Sequence, residues 1–300
     1  MLPISLRQLQ VFESAARHLS HSRAATELYL SQPAVSMQIK QTENLLGLPL
    51  FEQVGKKLFL TEAGRELFHY SRGILQQVNE MESVFAEMKG LERGRLNISV
   101  VSTANYFMPQ LLAKFIQAHP KIQVGLSVAN RDAVIKQLSE NVADLAIMGQ
   151  PPDGTDMVAE AFMENPLVVF AMPSHPLATI NKIQPEQLVK ETFLLRERGS
   201  GTRGVVERFF SRHHFALPAH MEMDTNEAIK QSVQAGMGIG IISQHGIELE
   251  LEARRLIILD VDHFPIVRHW HIVYRKNKRL SIAAQEFERF LLHSSQSMTR

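Results

Sequence analysis

Apolar positions in the first fifty residues recur at helical spacing, and after residue 50 they shift to alternation. Leu6, Leu9, Val11, Phe12, Ala15 and Ala16 mark a first helix over about 5–18. Ser22 is read as the cap of a short helix, Arg23 to Leu28, whose Ala24 and Ala25 allow close approach of another helix. Tyr29 and Leu30 form a turn. Ser31 then caps a helix from Pro33 to about Leu46, and proline is tolerated there because first-turn amides lack intrahelical partners. Its inner face is assigned Ala34, Val35, Ile39 and Leu45, its outer face Gln32, Ser36, Gln38 and Lys40. Residues 50–60 read as a small hairpin with glycine at the turn and Lys56 and Lys57 at the tip.

Thr61 caps a proline-free stretch predicted to be helical over 62–89. Ala63, Leu67, Tyr70, Ile74, Val78, Met81, Phe85 and Met88 follow at steps of 4, 3, 4, 4, 3, 4 and 3 residues. The mean step of roughly 3.6 makes one nearly straight apolar seam on a rod of about 42 Å. Such a rod outruns a small headpiece and needs a partner helix. A second copy of the chain is the economical partner, giving a coiled-coil-like dimer; the alternative is cover from the chain's own C-terminal part.

Beyond a hinge flanked by Gly90 and Gly94, short apolar strands alternate with helices. Leu96–Val101, Val124–Val128 and 144–148 alternate with helices around Leu111–Phe115 and Val134–Leu138. A second block begins near Pro166 with strands at 167–172 and 239–242 and helices near 203–212 and 225–235. After Pro265 a strand at 270–274 and a helix over about 281–293 return to the first block. The fold class is α/β: an all-α winged helix-turn-helix and long linker helix, then a two-lobed domain. The boundaries are 1–61, 62–90 and 91–300, with lobe I at 91–164 and 266–300 and lobe II at 165–265.

Three hundred residues exceed one ordinary core, and 45% hydrophobic with 21% charged residues is the balance of a soluble globular chain. No window approaches a membrane span, the N-terminal thirty residues lack a secretory pattern, and cysteine is absent, so a cytoplasmic protein is expected. The net charge of +1 conceals little: the first sixty residues hold six basic and four acidic side chains, an excess of only two. Geometry must therefore carry any claim of nucleic-acid binding.

Two short helices around a tight turn, the second opening with small polar residues, suit entry into a DNA major groove. Ser31, Gln32, Pro33, Ser36, Gln38 and Lys40 are the candidate contacts, with Lys56 and Lys57 as a wing on the phosphates. A three-helix packing module with a solvated charged turn is the plainer alternative. In the C-terminal domain, Ser102 and Thr103 end a strand and begin a helix, and Ser200, Thr202 and Arg203 begin another. Free amides and hydroxyls at such ends receive carboxylate or phosphate, with Asn130, Arg131 and Gln150 as weaker candidates. Gly199 to Gly204 also spells G-x-G-x-x-G with Asp224 twenty residues on, but the preceding strand ends in Arg196-Glu197-Arg198, against a dinucleotide site. G-x-S-x-G, H-E-x-x-H and the P-loop pattern are absent, and the paired histidines at 213–214 and 269–271 lack ligand spacing, so no enzyme, metal or cofactor is expected.

The runs Leu6-Arg7-Gln8-Leu9-Gln10-Val11-Phe12, Leu30-Ser31-Gln32-Pro33-Ala34-Val35-Ser36, Leu45-Leu46-Gly47-Leu48-Pro49-Leu50-Phe51-Glu52 and Leu60-Thr61-Glu62-Ala63-Gly64 resemble the LysR-type regulators. Thr42, where leucine is usual, and Gln53, where arginine is, depart from that pattern. Val100 to Phe107, Asp144 to Gly149, Asn165 to Val169 and Gly199 to Arg203 are similar to the subgroup regulating RuBisCO (Calvin-cycle) operons. The resemblance implies a periplasmic-binding-protein-like effector domain and a homodimer or homotetramer on an interrupted inverted repeat of double-stranded DNA. It further implies an activator answering a small anionic effector (a phosphorylated metabolite or NADPH), with RNA polymerase as a further partner. Two rival readings are a metabolite-binding enzyme with an accessory DNA-binding-like domain and a constitutive DNA-binding protein without effector.

Overall fold

The computed structural model describes residues 4–55, 57–88, 94–152, 156–215 and 219–298. Lys56 and the Gly90 side of the expected hinge lie outside them, as does the side chain of Met88. By contacts the chain divides into two units, Met1–Leu91 with Glu140–Val142, and Glu92–Ser139 with Ala143–Arg300.

The first unit opens with α1 (Leu6–His18), whose N-terminus carries a reciprocal cap between Ser5 and Gln8. Next come α2 (His21–Leu28) and α3 (Gln32–Leu46). The cap of α2 is Ser20, not Ser22: its hydroxyl accepts from the Arg23 amide, and the helix starts two residues earlier than expected. Ser31 caps α3 as expected, accepting from the Ala34 amide at 3.3 Å. The inner face of α3 needs one correction. Val35, Ile39 and Thr42 are buried, while Leu45 is exposed. Steps of 4 and 3 from Val35 lead to Thr42, and its hydroxyl donates to the Gln38 carbonyl one turn back, so that hydroxyl is buried with a partner. Val11, Ala15, Ala24, Ala25, Val35 and Ile39 form the three-helix core. Full burial of each larger side chain contributes about 1.5–3 kcal/mol.

The hairpin is β1 (Phe51–Val54) paired antiparallel with β2 (Lys57–Leu60), Val54 facing Lys57. It leads into α4 (Glu62–Met88). Thr61 joins three pieces: its hydroxyl accepts from the Gly64 amide and donates to the Pro49 carbonyl. Leu50, Phe12 and Ala16 form a second small core with Leu60, Ala63 and Leu67, so the first turns of α4 are built into the headpiece. Farther along α4, Tyr70, Ile74, Met81 and Phe85 of the seam are exposed, Tyr70 to 62%.

The second unit carries two five-stranded sheets. Its elements are β3 (Gly94–Val101), α5 (Met108–Ala118), β4 (Ile122–Ala129), α6 (Arg131–Ser139), β5 (Leu145–Met148), β6 (Met157–Glu164), β7 (Leu167–Ala171), α7 (Pro185–Leu188) and β8 (Phe193–Arg196). They continue with α8 (Gly201–Arg212), β9 (Ala219–Met223), α9 (Asn226–Gln234), β10 (Ile239–Ser243), α10 (Glu248–Glu252), β11 (Ile257–Ile258), β12 (His269–Arg275) and α11 (Ile282–Met298). One sheet runs β4-β3-β5-β12-β6, the other β11-β7-β10-β8-β9. Both are covered on two faces, which is why β5, β7, β8 and β10 are buried along their whole length. Leu111, Phe115, Phe287 and Leu291 pack on one side of the first sheet, and Val134 and Leu138 on the other. Val206 and Phe210, and Ile229 and Val233, do the same for the second.

The chain crosses between lobes twice, and the crossings pair with each other. The Asn165 amide donates to the Arg268 carbonyl, and Leu167 and Ile266 exchange both backbone bonds at 3.0 Å. This short two-stranded bridge leaves an interlobe cleft at the ends of β3, β5 and β8.

Candidate functional site

Two places gather the chemistry anticipated from sequence. On α3, Ser31, Gln32, Pro33 and Lys40 are exposed, and Ser36 and Gln38 are half-buried. Gln32 Nε2 donates to Ser36 Oγ at 2.9 Å, and Lys40 Nζ stands 3.5 Å from Glu43. Gln38 does not belong to the outer face: at helical spacing it flanks Val35, and its Oε1 is buried without a partner. Met37, which the sequence reading passed over, takes that place with 58% exposure. Lys57 is exposed on the wing, whereas Lys56 lies outside the described residues. Tyr29, in a left-handed conformation at the turn between α2 and α3, is 96% exposed.

In the second unit, a cleft partly open to solvent is lined by the expected Ser102, Thr103, Asn130, Gln150, Ser200 and Thr202. Ser102 and Thr103 follow β3 in a 3-10 turn, and Ser200 caps α8 without using its side chain as the cap. Gly199, at φ +90°, turns the chain between β8 and α8, and a side chain there would meet the Asp132 carboxylate at 2.9 Å.

Arg203 does not line the cleft. Its Nε bonds Glu207 at 2.6 Å, and its Nη1 bonds Glu222 and the Arg196 carbonyl at 2.9 Å each. Glycine and serine at the helix start aim the first turn at the cleft, but the third helical position has rotated away from it. The guanidinium groups that do line it are Arg131, Arg196 and Arg268. Arg131 donates to the carbonyls of Gln150 and Pro151. Arg196 pairs with Glu197, reaches Asn226 in its own lobe, and donates to Ser102 of the other lobe at 3.3 Å. Asn226 Nδ2 in turn donates to Thr103 at 3.0 Å, and Arg208 Nη2 donates to Gln150 Oε1 at 2.9 Å, so side-chain hydrogen bonds join the lobes at several points.

Arg268 differs. It donates to Thr202 at 3.1 Å, its Nε is buried without a partner, and no described carboxylate pairs with it. Burial pushes its pKa down to about 10, with nearby Arg208 adding to the depression. At neutral pH it remains a cation, desolvated and without a counter-charge among the described residues. Trp270 Nε1, at the same wall, is another buried donor without a partner. The arrangement can receive an anion: a guanidinium with no described carboxylate partner, hydroxyls from both lobes and the start of a helix. Arg268 carried no signal in the sequence beyond its position just ahead of β12.

The chain matches two family models: "Bacterial regulatory helix-turn-helix protein, lysR family" over residues 6–65, and "LysR substrate binding domain" over residues 89–296. It is 54% identical over 295 residues to the RuBisCO operon transcriptional regulator of Allochromatium vinosum, covering 98% of both chains. It is 42% identical to the HTH-type transcriptional activator CmpR of Synechocystis sp., covering 98% of this chain and 97% of that one. Among solved structures, the Synechocystis PCC6803 CcmR regulatory domain in complex with 2-PG superposes with a TM-score of 0.66 at 41% identity. That match spans 69% of this chain and 99% of the other. A headpiece with a polar recognition helix, a two-lobed cleft domain and these relatives lead to one conclusion: the chain belongs to the LysR family of DNA-binding transcriptional regulators.

Proposed function

We propose that this regulator activates carbon-fixation genes in response to a small anion held by Arg268. The observation that carries the reading is the buried guanidinium without a carboxylate: in a cleft between lobes, such a charge is stabilised by a ligand that brings the missing negative group. Ser102, Thr103, Asn130, Gln150, Ser200 and Thr202 supply the hydrogen bonds around it, and Arg196 and Arg268 replace Arg203 as the cationic partners. The 2-PG bound by the CcmR domain makes that compound the first ligand to test, with NADPH and inorganic phosphate beside it.

On the DNA side, Gln32, Pro33, Ser36 and Met37 face base edges, and Ser31, Lys40 and Lys57 contact phosphates. Gln38 supports the helix from its flank. Two headpieces joined through the α4 seams, in a homodimer or a tetramer of two dimers, read an interrupted inverted repeat. The working division is headpiece 1–61, linker 62–90 and effector domain 91–300. The regulator acts in the cytoplasm with RNA polymerase as its downstream partner, and it catalyses no reaction.

A mobility-shift titration on the promoter region of a RuBisCO operon, with one half-site scrambled in a second duplex, tests the DNA part. The intact repeat is expected to bind at least a hundredfold more tightly than the half-site duplex, because the second contact becomes intramolecular. Equal binding to both would reject paired reading.

A further inference from the structure

His21 opens α2, remote in sequence from the recognition helix, yet it touches that helix. Its Nδ1 lies 3.1 Å from Ser36 Oγ, and Ser36 Oγ accepts from Gln32 Nε2 at 2.9 Å. The ring stands edge-on to Phe51 of the wing, at 5.5 Å and 83°, and Nε2 is buried without a partner. Burial lowers the imidazole pKa against the opposing pull of Glu43, so the ring is neutral at neutral pH.

We propose that His21 is a positioning residue for base reading: through the Ser36 hydroxyl it fixes which end of the Gln32 amide faces the duplex. The inference rests on Gln32 reading a base, as put forward above. A serine hydroxyl has one proton and two lone pairs. When the neutral ring carries its proton on Nε2, Nδ1 takes the Ser36 proton, and Ser36 is left as an acceptor toward Gln32. The amide nitrogen then turns to Ser36. One amide N–H and Oε1 remain for the groove, the donor and acceptor pair that matches N7 and the N6 amino group of adenine. Without an acceptor at Nδ1, the Ser36 proton has the Gln32 amide as its alternative. Oε1 then turns inward and both N–H groups face the groove, which suits the two acceptors of guanine. The relay thus converts a packing position between α2 and the wing into a choice of base.

The test uses the full-length protein and a library of duplexes randomised across one half-site. The base pair facing Gln32 is the one whose preference changes in Gln32→Ala. At that pair the wild type is expected to prefer adenine to guanine. His21→Phe keeps a ring against Phe51 but cannot bond Ser36, and it should lose about fivefold or more of that preference, the scale of one bidentate base contact. His21→Asn, whose Oδ1 can take the place of Nδ1, should restore most of it, and Ser36→Ala should copy His21→Phe. Should His21→Phe not fold, Ser36→Ala and His21→Asn decide alone. Unchanged preference in His21→Phe or Ser36→Ala, equal loss on all duplexes, or failure of His21→Asn to restore it would each overturn the proposal. A flat response to Gln32→Ala at every pair would remove the base-reading assignment and this inference with it; a response there without one at His21 would remove this inference alone.

Discussion

Arg268 holds a charge that no described carboxylate neutralises. Its pKa is depressed to about 10, so the charged form is less favourable folded than unfolded. For a base shifted in this direction, the cost is present below about pH 10 and fades as pH rises through that value. Arg268→Gln should therefore leave the ligand-free melting temperature unchanged or higher. The same substitution should weaken 2-PG binding by about 10-fold to 100-fold, the range of one charged hydrogen-bonding group. Calorimetry and thermal melts read both numbers. A ligand affinity equal to that of the wild type would remove Arg268 from the site. At this scale the sequence was legible where local rules apply. Ser102, Thr103, Ser200 and Thr202 were found because strand ends and helix starts expose amides and hydroxyls. Arg203 was chosen over Arg268 because sequence gives proximity to a motif but not the rotation of a side chain around its helix, nor a residue delivered by the second crossing.

Elements were legible in proportion to how strictly their period follows one buried face. The steps of 4 and 3 along α4 marked a helix that runs from Glu62 through Met88, the last described residue before its expected end at 89, and the seam beyond Leu67 is largely exposed in the single chain. Pairing those seams is expected to make the dimer. Ile74→Asp with Met81→Asp should yield monomers in sedimentation velocity, with operator affinity lower by two orders of magnitude or more as avidity is lost. A variant that stays dimeric would move the interface elsewhere. The start of α4 allows a second test. A Cβ at Gly64 would fall 2.1 Å from the Leu50 carbonyl oxygen, so Gly64→Ala must separate the linker helix from the wing. We expect destabilisation of about 2 kcal/mol or more in chemical denaturation; an unchanged midpoint would contradict the tight joint. Two elements misled the sequence reading for physical reasons. Leu45 looked like core, but the helical phase set by Val35 and Ile39 gives Thr42 the inner position. The strand β6, Met-Val-Ala-Glu-Ala-Phe-Met-Glu, is rich in helix formers and went unread; its ladder with β12 overrides that propensity.

For the molecule as a whole, charge alone does not explain DNA binding, since the first sixty residues carry an excess of only two positive groups. In the proposed dimer, duplication is what would convert a few weak phosphate contacts into a selective complex. The cleft then gives the complex a second input. Hydrogen bonds already join the lobes, among them Arg196 to Ser102, Asn226 to Thr103 and Arg208 to Gln150, and an anion on Arg268 beside them favours whichever lobe arrangement it binds more tightly. A family of related chains shares the whole plan, so the fold and the class of function are legible in the sequence, whereas the arginine proposed to bear the ligand is brought to the cleft only by the tertiary fold. The most direct test is a hydroxyl-radical footprint on the operator at saturating protein, with and without 2-PG, for the wild type and Arg268→Gln. Two protected blocks related by a two-fold axis are expected, with 2-PG changing the cleavage between them in the wild type but not in the variant. A single protected block, or a pattern that 2-PG alters equally in both proteins, would contradict the account.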